Sequence, residues 1–365
     1  MIRKLLISAA MICSGILMTT ACSHSSSDAP DQKPDDPDKT ETPTKPEGIV
    51  TAKDFARGAD VSWITQQEDE GIKFFDVRGR AADAMQILRD ECGINSIRLR
   101  VWVNPADRYN AIPDVVDKAV RARNLGMRVM IDFHFSDTWA DPGHQDIPAA
   151  WTDLSLPDLK SALAGHVRAT LSALKDAGVI PEWVQVGNET RDGFLYEIGR
   201  VNNHFAELAD AGYEAVKEVC PDAKVIIHVD NGWDNSVSDW VYSDLAAKGT
   251  RYDLIGLSLY PDINNVPERV SQTIDNVRKL YREYGKRVVI CEIGMTYNKP
   301  EQCADMITRL LQGAVDTGVI DGIFYWEPQA PAGYNGGYDK GAFDRGRPTS
   351  GLIPFARSAA ATAVE

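Results

Sequence analysis

Two glutamates stand where chemistry could be done. The strings Val186, Gly187, Asn188, Glu189 and Val288, Val289, Ile290, Cys291, Glu292 each place a carboxylate where an apolar, β-prone run meets a loop. Two carboxyls facing each other across a sugar linkage can break a glycosidic bond, one giving a proton to the leaving oxygen and the other attacking the anomeric carbon. Glu189 suits the proton donor, because Asn188 before it could hydrogen-bond a sugar 2-hydroxyl, and Glu292 suits the nucleophile. A gap of about 5 Å predicts retention of configuration, whereas roughly 6.5 to 9.5 Å would admit a water and predict inversion. A single strand-end glutamate reads equally as a solvated or salt-bridged group. A pair on one rim among aromatic residues favours the chemical reading.

The neighbours of these runs supply further candidates. Arg98 and Arg100 have the same parity on one run, so they face the same side of a strand. One beside a carboxylate would hold a nucleophile ionised, and the other reads as a structural ion pair inside the fold. His134 reads either as part of the site or as a satisfied core histidine. Asp137, Asp230, Asn231 and Tyr260 join it at strand ends. Trp63, Trp102, Trp139, Trp233 and Trp326 also stand at or just past such ends, where an apolar sugar face could stack on an indole. Two or three of the five are expected to be sugar platforms, with Trp139, Trp233 and Trp326 the candidates.

These residues need elements to hold them. Eight apolar runs recur along the chain, from Ala59 to Trp63, Asn95 to Val101, Arg128 to Phe133, Trp183 to Gly187, Lys224 to Val229, Leu254 to Leu259, Arg287 to Cys291 and Gly322 to Trp326. Amphipathic stretches lie between them, such as Ala81 to Cys92, Val115 to Leu125, Leu159 to Ala177, Val266 to Tyr284 and Glu301 to Thr317. Gly93, Gly126, Gly178, Gly285 and Gly318 follow these stretches, as the first position past a helix prefers. Strand alternating with helix eight times predicts an α/β fold, a single (β/α)8 TIM barrel of parallel strands. In such a barrel both glutamates share the rim at the strand C-termini.

The ends of the chain and its composition narrow the setting. Arg3 and Lys4 precede an apolar stretch from Leu5 to Met18, and small residues lead to Cys22. This predicts a signal peptide over residues 1–21, too short to span a bilayer. Cys22 after Ala21 suggests a lipoprotein signal with a lipid anchor at Cys22; ordinary secretion is the alternative. Residues 22–48, rich in Ser, Asp, Pro, Lys, Glu and Thr, read as a flexible linker, leaving 49–365 as the catalytic domain. The net charge of -14 argues against a nucleic-acid partner. Cys92, Cys220, Cys291 and Cys303 lack metal-site spacing and read as buried thiols, with a Cys291 to Cys303 bridge unsupported.

Several segments together resemble one family. They are Gly58 to Trp63, Ile97 to Pro105, Asp132 to Gly143, Gln185 to Glu189 and Tyr325 to Pro328. In order, and over about Ala56 to Phe355, they resemble the endo-β-1,4-galactanases of glycoside hydrolase family 53. The resemblance implies a retaining barrel enzyme with Glu189 as acid/base, Glu292 as nucleophile, and Arg98, His134, Asn188, Tyr260 and Trp326 around them. It implies a polysaccharide substrate, β-1,4-galactan or the type I arabinogalactan of pectin, with no cofactor. The chain also resembles exported glycan-degrading lipoproteins of Bacteroidetes, and is expected to be monomeric on a cell surface, in the outer membrane or periplasm, or secreted.

Three places depart from the family pattern. Arg191 to Tyr196 replace the usual Asn-Gly and Leu-Trp after the acid/base, and Leu259 to Ile263 replace a more aromatic run after the sixth strand. The loop after Glu292 lacks the acidic, Asn-rich run with which some bacterial members bind calcium, so no metal is expected from it. Two other readings stay open: a retaining hydrolase of another β-1,4-linked polysaccharide, and a surface glycan-binding lipoprotein on the same barrel.

Overall fold

The computed structural model describes residues 48–364; the expected signal peptide, Cys22 and all of the linker except its last residue lie outside them. Eight strands form a closed parallel barrel in sequence order. They are β1 (Ala56–Asp60), β2 (Ser96–Val101), β3 (Arg128–Phe133), β4 (Trp183–Val186), β5 (Lys224–Val229), β6 (Leu254–Leu259), β7 (Val288–Ile293) and β8 (Ile320–Trp326). β8 closes the ring on β1, with Gly58 opposite Phe324 and Asp60 opposite Trp326.

Helices cover the outside because each has an apolar stripe to bury. On the helix Val266–Tyr284 the buried residues Val270, Ile274, Val277 and Leu280 recur at helical spacing. Gly285 ends that helix at φ 66°, and Gly93, Gly126, Gly178 and Gly318 sit at left-handed φ after theirs, conformations that a residue with a Cβ adopts only at a cost.

The barrel interior changes character along the strands. Its lower layers are apolar, with Ala56, Met130, Trp183, Ile226, Leu254, Val289, Cys291 and Phe324 packed as one cluster. One step toward the strand C-termini the inward residues become polar and are still buried: Asp60, Arg98, Asp132, Gln185, His228 and Ser258. Each strand therefore enters as core and leaves as site.

Two strand features differ from the simple pattern. The first strand ends three residues earlier than its apolar residues suggest, because Asp60 Oδ1 accepts the Ser62 N–H at 3.0 Å and its hydroxyl at 2.6 Å, turning the chain at Asp60. Val61 to Trp63 then lead into a short helix, Ile64–Asp69. On β7 the pairing slips: Leu257 opposes Ile290, yet Ser258 opposes Glu292. This bulge adds a residue, so Cys291 faces the lumen with Val289 and Glu292 is turned inward after it, where strict alternation would aim Glu292 at the helices.

The four cysteines of the described region are buried and free, so Cys291 and Cys303 are not bridged. Among the described residues no helix is long and apolar enough to cross a membrane.

Candidate active site

Glu292 is held by a buried guanidinium. Arg98, from the middle of β2, reaches Glu292 Oε1 at 2.9 Å, Asp60 Oδ2 at 2.8 Å and Asp132 Oδ2 at 2.8 Å. Burial works against its charge, but Asp132, Glu292 and Asp60 hold it protonated, well above the usual arginine value. Tyr260, just past β6, donates its hydroxyl to Glu292 Oε2 at 2.7 Å. Burial, with Glu292 beside it, pushes that phenol well above its ordinary value, so it stays a donor. Glu292 itself is raised by burial, while Arg98 and Tyr260 pull it back down.

Glu189 has the opposite environment. It lies three residues past β4 in a left-handed conformation, φ 47°, and its Oε1 accepts from Ser258 Oγ at 2.7 Å. Among the described residues no cation contacts it directly. Burial raises its carboxyl well above the ordinary value, and the charges of Glu292 and Asp230 raise it further. Two carboxyls on one rim are thus pushed apart in acidity by their surroundings, the arrangement that separates an acid from a nucleophile.

Asn188 is fixed on every side. Its Oδ1 accepts from Arg98 Nη2 at 2.8 Å, and its Nδ2 donates to the Ala140 carbonyl at 2.8 Å. His134 is likewise satisfied: Nδ1 accepts the Trp102 indole N–H at 3.3 Å and the Ala140 N–H at 3.0 Å, which leaves Nε2–H to donate to Asp132 at 3.0 Å.

Arg100 serves a different centre. It pairs with the fully buried Glu327 at 3.1 Å, and its guanidinium lies 4.2 Å over the Trp139 ring, with Trp63 and Trp102 also near. Its Nε and second Nη have no hydrogen-bond partner among the described residues because these aromatic faces surround them. Glu327 also accepts the Trp63 N–H at 3.0 Å and the Gln329 amide at 2.8 Å. This buried ion pair braces the aromatic wall.

A cleft of about 440 Å³ crosses the rim, bounded by Asp141 and Pro142 on one side, Asp230 and Asn231 on another, and Tyr338, Asp339 and Lys340 from the loop after β8. His134, Trp139, Asn188, Glu189, Tyr260, Glu292 and Trp326 line its floor and walls. Of the five rim tryptophans only Trp139 and Trp326 reach it. Trp63 and Trp102 are buried behind them, and Trp233 is half-buried with Arg269 3.6 Å over its ring. Asp137 is set apart from the cleft, since its two oxygens accept the backbone N–H groups of Asn104 and Ala149 and so pin the third loop. In the departing segment after Glu189, Phe194 and Leu195 are buried, while Arg191 donates from Nε to Asp230 at 2.9 Å. Among the described residues no group of three or more His, Cys, Asp or Glu could hold a metal ion.

The sequence reading did not give Asp60, Asp132, Gln185, Ser258, His228 and Glu327 roles in the site. Their signal is available in part: all but Glu327 are polar residues of inward parity at or near a strand end, and Glu327 stands one residue past β8. What is missing is the strand pairing that sets Asp60 beside Arg98 and the barrel curvature that brings Ser258 to Glu189.

A closed barrel with paired glutamates and clustered indoles at its C-terminal rim is the make-up of a glycoside hydrolase. Residues 56–348 match the family model for glycosyl hydrolase family 53. The chain belongs to that family. A probable arabinogalactan endo-beta-1,4-galactanase A of Neosartorya fischeri is 33% identical over 307 residues, covering 77% of this chain and 85% of that protein. The arabinogalactan endo-beta-1,4-galactanase of Thermothelomyces thermophilus is 32% identical, covering 74% and 89%. Among solved structures, a fungal beta-1,4-galactanase superposes with a TM-score of 0.77 at 30% identity, covering 83% of this chain and 99% of that one. The Ignisphaera aggregans GH53 catalytic domain gives 0.75 at 29% identity, over 84% and 96%.

Proposed function

We propose that Glu189 is the acid/base and Glu292 the nucleophile of a retaining, endo-acting enzyme. The protein hydrolyses β-1,4-galactosidic bonds in galactan; its relatives at 32–33% identity are named arabinogalactan endo-beta-1,4-galactanases. One observation carries the residue assignment: Ser258 holds Glu189 and is itself paired across the β6–β7 ladder with Glu292. Neighbouring strands lie about 4.8 Å apart, so the two carboxyls share one part of the rim and the charge of Glu292 is felt at Glu189; direct attack requires a gap of roughly 5 to 5.5 Å.

In this reading Glu189 protonates the glycosidic oxygen while Glu292, kept available as an anion by Arg98 and Tyr260, attacks C1 and forms a glycosyl-enzyme. Glu189, now ionised, takes a proton from the water that releases the sugar. Trp139 and Trp326 offer apolar faces to the galactose rings. A cleft running across the rim, from the third loop to the eighth, supports attack within a chain.

Proton NMR of the first products from linear β-1,4-galactan tests this. The β-anomer should appear first, among oligosaccharides of mixed length, and Glu189→Ala or Glu292→Ala should lower turnover by at least about 10²-fold. First release of the α-anomer would rule out the covalent route. The charged and apolar residues before Cys22 support export with a lipid anchor there. Cys22→Ala should then move the protein out of the membrane fraction; unchanged membrane association would count against the anchor.

A further inference from the structure

One imidazole grips Glu189 at two places. The Glu189 backbone N–H points at His228 Nδ1, 3.3 Å away. Its carboxyl is reached from the other ring nitrogen through Ser258, with 2.8 Å from Nε2 to Oγ and 2.7 Å from Oγ to Glu189 Oε1. The His228 carbonyl also takes the Thr190 N–H at 2.7 Å and the Thr190 hydroxyl at 2.9 Å. A glutamate at φ 47° is uncommon and persists where its surroundings impose it.

We propose that His228 and Ser258 are positioning residues that decide which oxygen of Glu189 carries the transferable proton. The inference rests on Glu189 being the acid/base. Hydrogen placement follows from donors that cannot be reversed. A backbone N–H only donates, so His228 Nδ1 must present its lone pair. Gln185 agrees: its Oε1 accepts from Arg98 Nε and Nη2, both at 3.2 Å, which turns its Nε2 toward Nδ1 at 2.9 Å. The approach of Asn188 Oδ1 to Nδ1, 3.0 Å, is then one between two acceptors that share this amide, which lies 3.1 Å from Asn188 Oδ1.

Burial, with the positive charge of Arg98, holds the His228 imidazole neutral, its value well below that of an ordinary histidine. Its one proton is therefore on Nε2 and is donated to Ser258 Oγ. Ser258, with a lone pair so occupied, directs its own hydrogen at Oε1. That leaves the acidic proton to Oε2, which has no protein hydrogen bond among the described residues and belongs to a cleft-lining side chain. In the first half-reaction the Oε2–H bond breaks and its proton goes to the leaving oxygen as Glu292 bonds C1. In the second, Oε2 takes the proton of the attacking water. Oε1 keeps one hydrogen bond throughout, so the His228–Ser258 chain is a clamp and conducts no proton.

Two substrates separate the outcomes. The galactan linkage needs its leaving oxygen protonated, whereas a dinitrophenyl β-galactobioside releases a stable phenolate without help. Glu189→Ala should lose about 10²- to 10⁴-fold on galactan and keep the phenolate burst; equal loss on both would overturn the acid/base assignment itself. With that split in hand, Ser258→Ala should lose about 10- to 100-fold in kcat on galactan, with KM and the phenolate burst little changed. Ser258→Thr, which retains the hydroxyl, should recover most of the loss. Equal loss on both substrates, or no loss on either, would overturn the clamp. In the unaltered enzyme, nitrogen-15 NMR of His228 should show Nε2 protonated between about pH 5 and 8. A ring protonated at Nδ1 would reverse each donor in the chain and overturn it as well.

Discussion

Burial and hydrogen bonding contend for the charge on Glu292. Burial raises its carboxyl, and Arg98 and the Tyr260 hydroxyl oppose that rise. Arg98 is shared with Asp60 and Asp132, so its charge is divided among three carboxylates. The Tyr260 bond at 2.7 Å is then a large part of what keeps the nucleophile ionised. A hydrogen bond to a charged group contributes about 1.5 to 3 kcal/mol. Tyr260→Phe should therefore raise the Glu292 pKa. Because attack needs the anion, the acid limb of kcat/KM should move to higher pH while the alkaline limb, set by the Glu189 proton, stays in place. A pH profile of the variant beside its parent checks this. Lower activity with an unmoved acid limb would mean that Tyr260 acts on the sugar and not on the nucleophile.

At the scale of elements, the sequence was legible wherever the cause is local. Gly93, Gly126, Gly178, Gly285 and Gly318 follow their helices at left-handed φ because that preference is built into one residue. The apolar runs of β3, β5 and β6 coincide with the strands, because buried parallel strands are apolar on both faces. Legibility fails where a distant residue decides. Val61 and Trp63 look like continuing strand, and only the Asp60 carboxylate bonding back to Ser62 ends β1. Glu292 is visible as a strand-end carboxylate, yet its inward direction depends on a bulge, and the bulge shows only in the pairing with β6. Gly256 leaves space for the Cys291 sulfur there: a Cβ at that position would come within 2.8 Å of it. Arg98 and Arg100 were legible as a same-face pair, but their division of labour was not. It depends on which carboxylates the closed barrel delivers, Asp60, Asp132 and Glu292 to one and Glu327 to the other. His228 and Ser258 lie 30 residues apart and meet through the β5–β6 ladder, beyond any local spacing rule.

For the whole molecule, titratable groups held away from water set opposing dependences on pH. His166, on the helix Leu156–Asp176, packs edge-on against Phe133 and Trp151, with ring centroids 5.6 and 6.2 Å away, and its Nε2 has no partner among the described residues. Burial lowers its pKa to about 4. The unfolded chain, with a histidine near 6.5, binds this proton first as the medium is acidified. Stability therefore falls as pH drops through about 6.5 and the loss is complete near 4, at a slope of about 1.4 kcal/mol per pH unit and a total of roughly 3 kcal/mol. His228, also lowered by burial, acts in the same direction. Glu189 and Glu292 act in the other, because their raised values let the folded protein take up protons before the unfolded chain does. A stability curve of the parent alone mixes these contributions, but comparison with His166→Phe cancels all except one. The phenyl ring keeps the aromatic contacts and has no proton to bind. In urea unfolding across pH 7 to 4, the stability of His166→Phe relative to the parent should be nearly constant above about pH 6.5 and then rise by up to about 3 kcal/mol as the pH approaches 4. A difference that stays flat over that range would show that His166 takes up its proton equally well in the folded and unfolded chains, and that the acid sensitivity of this barrel originates elsewhere.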